Sequence, residues 1–470
     1  MNENRTICFY DLETTGLSVA FDQILRFAAI RTDLALEELE RVEVDIKLRP
    51  DIIPSAGALI INRLSLNDVL IGDSEYEGIC KIHELLNRPG TISAGYNSLT
   101  YDNALLRYGF YRNFLDPYLH EWHNLCGKMD ILPIVAYYYL FRPTALKWPG
   151  DDIAGKLRLE NLIPLNRLTD GMAHHAMSDV EATVELSRRL KSHDPELWEK
   201  LTSSFNKDWD RSYMLDLPIF RINASRVCSL GAMVRIQFGY DKNLIAPVIL
   251  LGDHTEYSNQ QYWLRLDIKD FSSTIKSSSD TGKLGWSKVK RKLGAPDFIV
   301  PIDDNVKAML GDERVNIMDN NLEWIKNNEK LFYEISNEII QKTYPERTGL
   351  DLDASLYTSG FFNDAEKEIM NEFQNNSVPE KINQINNLPD DRMKMLGLRI
   401  LGRNYPEMLD EDLKQEFEST FNNSDSNTDI SGKKKTSLDD LVKQIEDWRQ
   451  KELDNDQKNI LLQLEKYYAR

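Results

Sequence analysis

The spacing of apolar residues changes twice along the chain, and that change limits its architecture. Up to about residue 193, short apolar runs at 7–10, 25–31, 43–48 and 91–96 read as strands, and stretches at 103–114, 131–141 and 177–190 carry a helical period. Strands first and helices after suit a mixed sheet with helices packed on it. His193-Asp194-Pro195 reads as a break. Over 221–270 the period falls to two, with strands expected at 233–238, 248–251 and 262–268 and turns at 239–243 and 252–259. A serine-rich turn is expected at 272–279, and helical spacing returns at 321–341. Beyond Gly349 the pattern is helical throughout, at 364–373, 391–401, 410–421, 437–448 and 457–468. A polar stretch at 422–435 reads as a mobile loop. The 470 residues exceed what one core supports. Three domains are expected: an α/β domain at 1–193, a β-rich domain at 194–350 and an all-α domain at 351–470.

Composition narrows the function. There are 57 basic and 75 acidic residues, a net charge of −18, so phosphate would be repelled by most of the surface. Any nucleic-acid contact is expected in one local groove. No apolar run approaches the roughly 18 residues of a membrane span, and the polar segment 1–6 gives no signal peptide. Cys8, Cys80, Cys126 and Cys228 lie far apart without a CxxC, which favours a reducing cytoplasm over a disulfide framework.

Three short segments carry candidate chemistry. Asp11-x-Glu13 ends the first strand, and residues i and i+2 of a strand share a face. Paired carboxylates repel unless a cation lies between them, and oxygen ligands suit a hard ion such as Mg²⁺ or Mn²⁺. Solvated acids at a strand end are the plainer alternative. Asp102 follows the strand at 91–96 and opens a helix, where an aspartate can simply cap. His174 precedes the helix at 177–190, and Asp179 lies in its first turn, a place that also suits the helix dipole. The ordered series is D-x-E, then N-x₃-Y-D, then H-x₄-D, within one α/β region.

That series resembles the DEDDh exonuclease superfamily, and H-x₄-D selects its histidine-bearing branch. Within it the chain resembles the bacterial exodeoxyribonuclease I family. The residues that carry the resemblance are QILRFAAIRT (23–32), FYRNFLDPY (110–118), Arg142-Pro143 before Trp148-Pro149, Arg158-Leu159-Glu160, LYTSGFF (356–362) and GRNYP (402–406). The departures are Asn103, where an acid is the pattern, and His175, which replaces an acid.

The resemblance implies an RNase H-like exonuclease domain, an SH3-like β domain and a helical domain. It implies 3′→5′ release of 5′-mononucleotides from single-stranded DNA in repair and recombination, using two Mg²⁺ ions, with Mn²⁺ as the alternative. Asp11, Glu13 and Asp179 would hold metal and Asp102 would complete the set. His174 would be the general base, and Glu13 and Arg158 would touch substrate. It further implies a cytoplasmic, nucleoid-associated monomer that meets the acidic C-terminal tail of single-stranded DNA-binding protein.

A strand track needs cations and stacking aromatics. Arg107, Tyr111, Arg112, Tyr118 and Trp122 are candidates by position, and Arg107, Tyr118 and Trp122 match family positions facing the strand. Tyr111 and Trp122 could instead pack the helices. The run Lys288, Lys290, Arg291 and Lys292 could be a phosphate-contacting loop or a solvated face. His120-x₂-His123-x₂-Cys126 lacks the fourth ligand of a zinc site and leaves the acids unexplained. Two other readings stay open: a 3′→5′ exoribonuclease of the same superfamily, and a non-enzymatic single-strand-binding scaffold.

Overall fold

The computed structural model describes residues 5–150, 155–170, 175–276, 287–295, 297–343, 349–422 and 428–468. They form two compact units. The first comprises Met1–Lys128, Arg167–Glu185 and Glu346–Arg470, and the second Met129–Asn166 and Leu186–Pro345.

The first unit is built on β1 (Thr6–Thr14), β2 (Ile24–Thr32), β3 (Glu38–Asp45) and β4 (Thr91–Gly95), continued by the short β5 (Gly127–Asp130) in the order β3-β2-β1-β4-β5. β1 pairs antiparallel with β2 and parallel with β4, so the sheet is mixed, as its sequence predicts. The parallel pairing brings the C-terminal ends of β1 and β4 to the same edge. Helices Glu75–Leu86 and Asp102–Arg112 pack on it, setting Ile79, Ile82, Leu105 and Phe110 against Cys8, Tyr10 and Phe27. Full burial of each such side chain stabilises by about 1.5–3 kcal/mol.

The C-terminal helices pack against the N-terminal residues of this unit. Phe373, Met393 and Leu396, from helices Asp364–Asn375 and Asp391–Asn404, share a core with Phe21, Tyr76, Tyr111 and Phe114. The helices Leu438–Arg449 and Asn455–Tyr468 bury Leu441, Ile445 and Leu461 against Leu59 and Ile60.

The second unit holds an antiparallel sheet in the order β10 (Lys288–Lys292), β9 (Gln260–Arg265), β8 (Ile245–Asp253), β7 (Val227–Val234), β11 (Phe298–Val300), with β6 (Ile219–Arg221) on β7 as well. β7 has Gly231 where β11 crosses closely: a Cβ there would lie 2.6 Å from Ile299 Cγ2. Helices Asp304–Asn327 and Glu329–Ile340 cover this sheet through Met318, Ile325, Phe332 and Ile335.

The structure departs from several sequence expectations. Asp194, within the expected break, separates the helix Ala176–His193 from the next one. It N-caps the helix Pro195–Ser203, its Oδ1 accepting from Leu197 N at 3.0 Å. The serine-rich stretch begins as the helix Phe271–Lys276, and 277–279 lie outside the described residues. In the polar stretch 422–435, residues 428–435 are held in place. Thr428 bridges Lys434, Asp429 accepts from Ser431 and Lys433 backbone amides, and Lys435 reaches Asp351 Oδ2 at 3.5 Å. Residues 423–427 lie outside the described residues. The four cysteines are free thiols, and no described helix is long and apolar enough to cross a membrane.

Candidate active site

Asp11 and Glu13 occupy alternate positions near the C-terminal end of β1, where Glu13 stands opposite Arg26 of β2 and the register shifts between Glu13 and Thr14. β4 stops at Gly95, where a Cβ would lie 2.6 Å from Ser98 Cβ and 3.0 Å from Tyr10 O. Asn97 takes the left-handed φ of 63° in the tight loop that follows. That loop delivers Asp102 to the first turn of its helix. Asp179 comes from the first turn of the helix Ala176–His193.

These four carboxylates, drawn from three distant segments, act on one another. Burial lifts Asp11 well above the usual carboxylate range, and Glu13, Asp102 and Asp179 push it further up. Burial raises Glu13 to about 8, with Asp179 and Asp102 adding to the rise and Arg26 opposing it. Arg26 is itself held at 2.7 Å by Asp45, and its Nη1 lies 3.4 Å from His175 Nε2. His175 therefore stands beside this cluster on an arginine. Among the described residues no three His, Cys, Asp or Glu side chains are gathered into a closed ligand set. The acids are near enough to raise each other's proton affinity. Uncompensated anions of oxygen donors are the chemistry a hard divalent cation relieves. His174 lies outside the described residues.

The loop after β1 is braced. Asp22 accepts from Thr15 Oγ1 and from Ser18 N, both at 2.7 Å. Tyr101 Oη donates to Gly16 O and lies 3.0 Å from Thr14 Oγ1. Tyr101 immediately precedes Asp102, so one hydroxyl ties the second acidic segment to the first.

The expected track residues separate into two groups. Arg107 lies over the Tyr118 ring at 5.4 Å, pairs with Glu121, and approaches Tyr357 Oη at 3.3 Å. Trp122 is 60% exposed. Tyr111 and Arg112 are corrected: both are buried and cannot face a strand. Tyr111 packs against Phe362 and bonds Ser355 Oγ at 2.8 Å, and Arg112 pairs with Glu75 at 2.9 Å. Sequence reading assigned no role to Phe361 and Tyr357. Phe361 is 81% exposed with its ring 5.5 Å from that of Tyr118, and Tyr357 meets Tyr108 edge-on at 5.5 Å. No local pattern links positions about 240 residues apart, although both lie in the LYTSGFF segment.

In the second unit, Arg158 is exposed and pairs with Glu160 at 3.3 Å. The run 288–292 is the strand β10 rather than a loop, and strand alternation divides it. Lys290 and Lys292 point outward, and Lys288 is partly buried, which pushes its ammonium pKa down. Arg291 is corrected: it is 1% exposed, pairs with Asp210 at 2.7 Å and donates to Asp297 O at 2.9 Å. It is a core ion pair, not a phosphate contact. His120 is buried with its Nε2 on Asn103, and His123 is exposed, so the described part of that histidine–cysteine segment forms no metal site.

A family model described as Exonuclease matches residues 8–187, and one described as Exonuclease I C-terminal domain matches 350–470. The chain is 28% identical over 436 residues to exodeoxyribonuclease I of Escherichia coli, covering 87% of this chain and 88% of that one. It is 26% identical to exodeoxyribonuclease I of Buchnera aphidicola from Acyrthosiphon pisum, over 84% of this chain and 96% of that one. Among solved structures, it is similar to a zinc-bound E. coli exonuclease I with single-stranded DNA, at TM-score 0.81, 23% identity and 99% coverage of both chains. It is also similar to a moderately thermophilic exonuclease I from Methylocaldum szegediense, at TM-score 0.82, 24% identity and 99% coverage of both chains. These likenesses give the fold: an RNase H-like exonuclease sheet, an SH3-like β-rich domain and an all-helical C-terminal region.

Proposed function

The chain belongs to the exodeoxyribonuclease I family, and we propose on that premise that it degrades single-stranded DNA from the 3′ end, releasing 5′-mononucleotides. The observation that carries this reading is the convergence of Glu13, Asp102 and Asp179 on Asp11, each of the three raising its proton affinity. A phosphodiester is shielded by its own charge and has a poor leaving group, so anionic side chains alone would repel it. The donor set fits a divalent cation, and Mg²⁺ is the ion proposed.

Asp11, Glu13 and Asp179 would hold metal, and Asp102 completes the negative set. Divalent ions bound there supply acidification of the attacking water and neutralisation of charge on the departing oxygen. His174 takes the proton from that water; an imidazole whose ordinary pKa is about 6.5 exchanges protons near neutrality. Glu13, at the strand end, accepts a hydrogen bond from the terminal 3′-hydroxyl. Arg158 pairs with a phosphate. Arg107, Tyr118 and Trp122 support the strand, and Phe361 extends that aromatic surface. Lys288, Lys290 and Lys292 meet phosphates from the β-rich domain.

The same reading gives a monomer with domains at 1–193, 194–350 and 351–470, working in DNA repair and recombination at the nucleoid in the cytoplasm. Its protein partner is single-stranded DNA-binding protein, through that partner's acidic C-terminal tail.

The test is digestion of matched labelled DNA and RNA oligomers, single- and double-stranded and blocked at either end, with Mg²⁺. Loss of single-stranded DNA alone, stopped by a 3′ block and yielding 5′-mononucleotides, is the expected result. Equal digestion of RNA, or digestion insensitive to a 3′ block, would contradict it.

A further inference from the structure

Asn103 and Arg107 sit four residues apart on one face of the helix Asp102–Arg112, and both reach the same carboxylate oxygen. Asn103 Nδ2 donates to Glu121 Oε1 at 3.1 Å, and Arg107 Nε donates to it at 2.5 Å. The other oxygen of Glu121 pairs with Lys128. Burial would raise Glu121, but Lys128 and Arg107 hold its carboxyl well below the usual range. It is therefore ionised and can only accept.

That fixes the rest of the network. With Nδ2 turned to Glu121, Asn103 Oδ1 faces His120 Nε2 at 3.1 Å and accepts a hydrogen bond from it. His120 is fully buried, and burial pushes its pKa down to about 3, so the ring is neutral with its hydrogen on Nε2. Phe110 meets the ring edge-on at 5.3 Å and holds its plane. Asn103 N donates to Ser98 O at 2.9 Å, anchoring the start of the helix.

Two anchor points on one face set the rotation of a helix about its axis. Neighbouring residues differ by about 100° around that axis, so fixing 103 and 107 fixes the direction of residue 102. Asp102 is one of the acids that raise Asp11 and Glu13. Mutual repulsion tends to swing such a group away, and an external brace is what opposes it.

We propose that Asn103, seated between His120 and Glu121, is a positioning residue that aims Asp102 at the carboxylate cluster. This inference rests on the nuclease reading. Its amide is required because it must accept from a neutral histidine and donate to an ionised carboxylate at once. A carboxylate at position 103 would set two anions against each other at the 3.1 Å contact and turn the helix.

The experiment compares wild type, Asn103→Asp, Glu121→Gln and the double variant on single-stranded oligodeoxythymidylate with Mg²⁺, with kcat and KM determined separately and thermal midpoints recorded. Asn103→Asp is expected to lose about tenfold or more in kcat, since misplacement of about 1 Å can cost about a hundredfold, with KM changed by less. Glu121→Gln in the same chain removes the repelling charge, so the double variant returns to the kcat of Glu121→Gln alone. Asn103→Asp with wild-type kcat, or a double variant as impaired as Asn103→Asp, would overturn the proposal. If Asn103→Asp does not melt cooperatively, Asn103→Ala decides, because alanine favours the helix. A fivefold or greater loss of kcat with the thermal midpoint retained supports the proposal, and unchanged kcat overturns it. An inactive wild type in this assay would instead strike the nuclease reading.

Discussion

Arg403 Nη2 lies 2.9 Å from Asp51 Oδ2 and 2.6 Å from Asp353 Oδ2, joining the C-terminal helices to the N-terminal part of the same unit. Arg399 adds a pair with Asp353 at 3.0 Å, and Arg49 ties Asp51 to Glu75. The arginine of the GRNYP segment is thus a buried structural cation. Breaking such a pair strands a buried charge, so Asp353→Ala should destabilise by about 3–5 kcal/mol. Urea unfolding at pH 7 measures this.

The same cluster sets an acid dependence. The arginines hold Asp51, Glu75 and Asp353 below their ordinary values against the opposing effect of burial. Groups depressed in the folded state contribute stability that is present above their unfolded pKa, about 3.9–4.3, and is lost as pH falls through the folded values. Stability should therefore fall below about pH 4 in wild type, and less steeply in Asp353→Asn. Parallel acid profiles of the two proteins would contradict this.

Asp179→Ala removes one carboxylate of the cluster without touching the aromatic surface. Degradation of single-stranded DNA should cease while oligonucleotide binding, measured by fluorescence anisotropy, stays within severalfold of wild type. Retained turnover would remove Asp179 from the metal set.

His174→Ala should lower kcat by about 10²–10⁴, the range for loss of a general base. The acidic limb of the wild-type pH–rate profile should disappear with it. An unchanged profile would assign that proton transfer elsewhere.

The β10 run gives opposite outcomes on its two faces. Lys290→Gln with Lys292→Gln should weaken DNA binding and reduce the salt slope by about 1.4, at about 0.7 per phosphate of a single strand. Arg291→Met should leave that slope alone and cost about 3–5 kcal/mol of stability, because Asp210 would remain buried and unpaired. An unaltered slope in the lysine double variant would remove both residues from the strand path.

Legibility in the sequence followed the range of the signal. The helix Ile131–Phe141 and the D-x-E at the end of β1 were readable because their period is local. The helices between Ala56 and Leu86 were missed although Ser65 and Ser74 each form a capping box, since their apolar stretches are short. β5, with the sequence GKMD, carries too little apolar pattern to be seen. Arg112 and Arg291 read as surface cations because their partners, Glu75 and Asp210, lie 37 and 81 residues away. The acidic residues were identifiable as a series, but their mutual effect depends on the parallel pairing of β1 with β4, which no local pattern reports.

The most direct test is a crystal soaked in manganese and measured at the metal's absorption edge. Anomalous density bounded by the carboxylates of Asp11, Glu13 and Asp179, and lost in Asp11→Ala, is the expected result. Those side chains well ordered with no anomalous density among them, while the protein still digests DNA with manganese, would contradict the account.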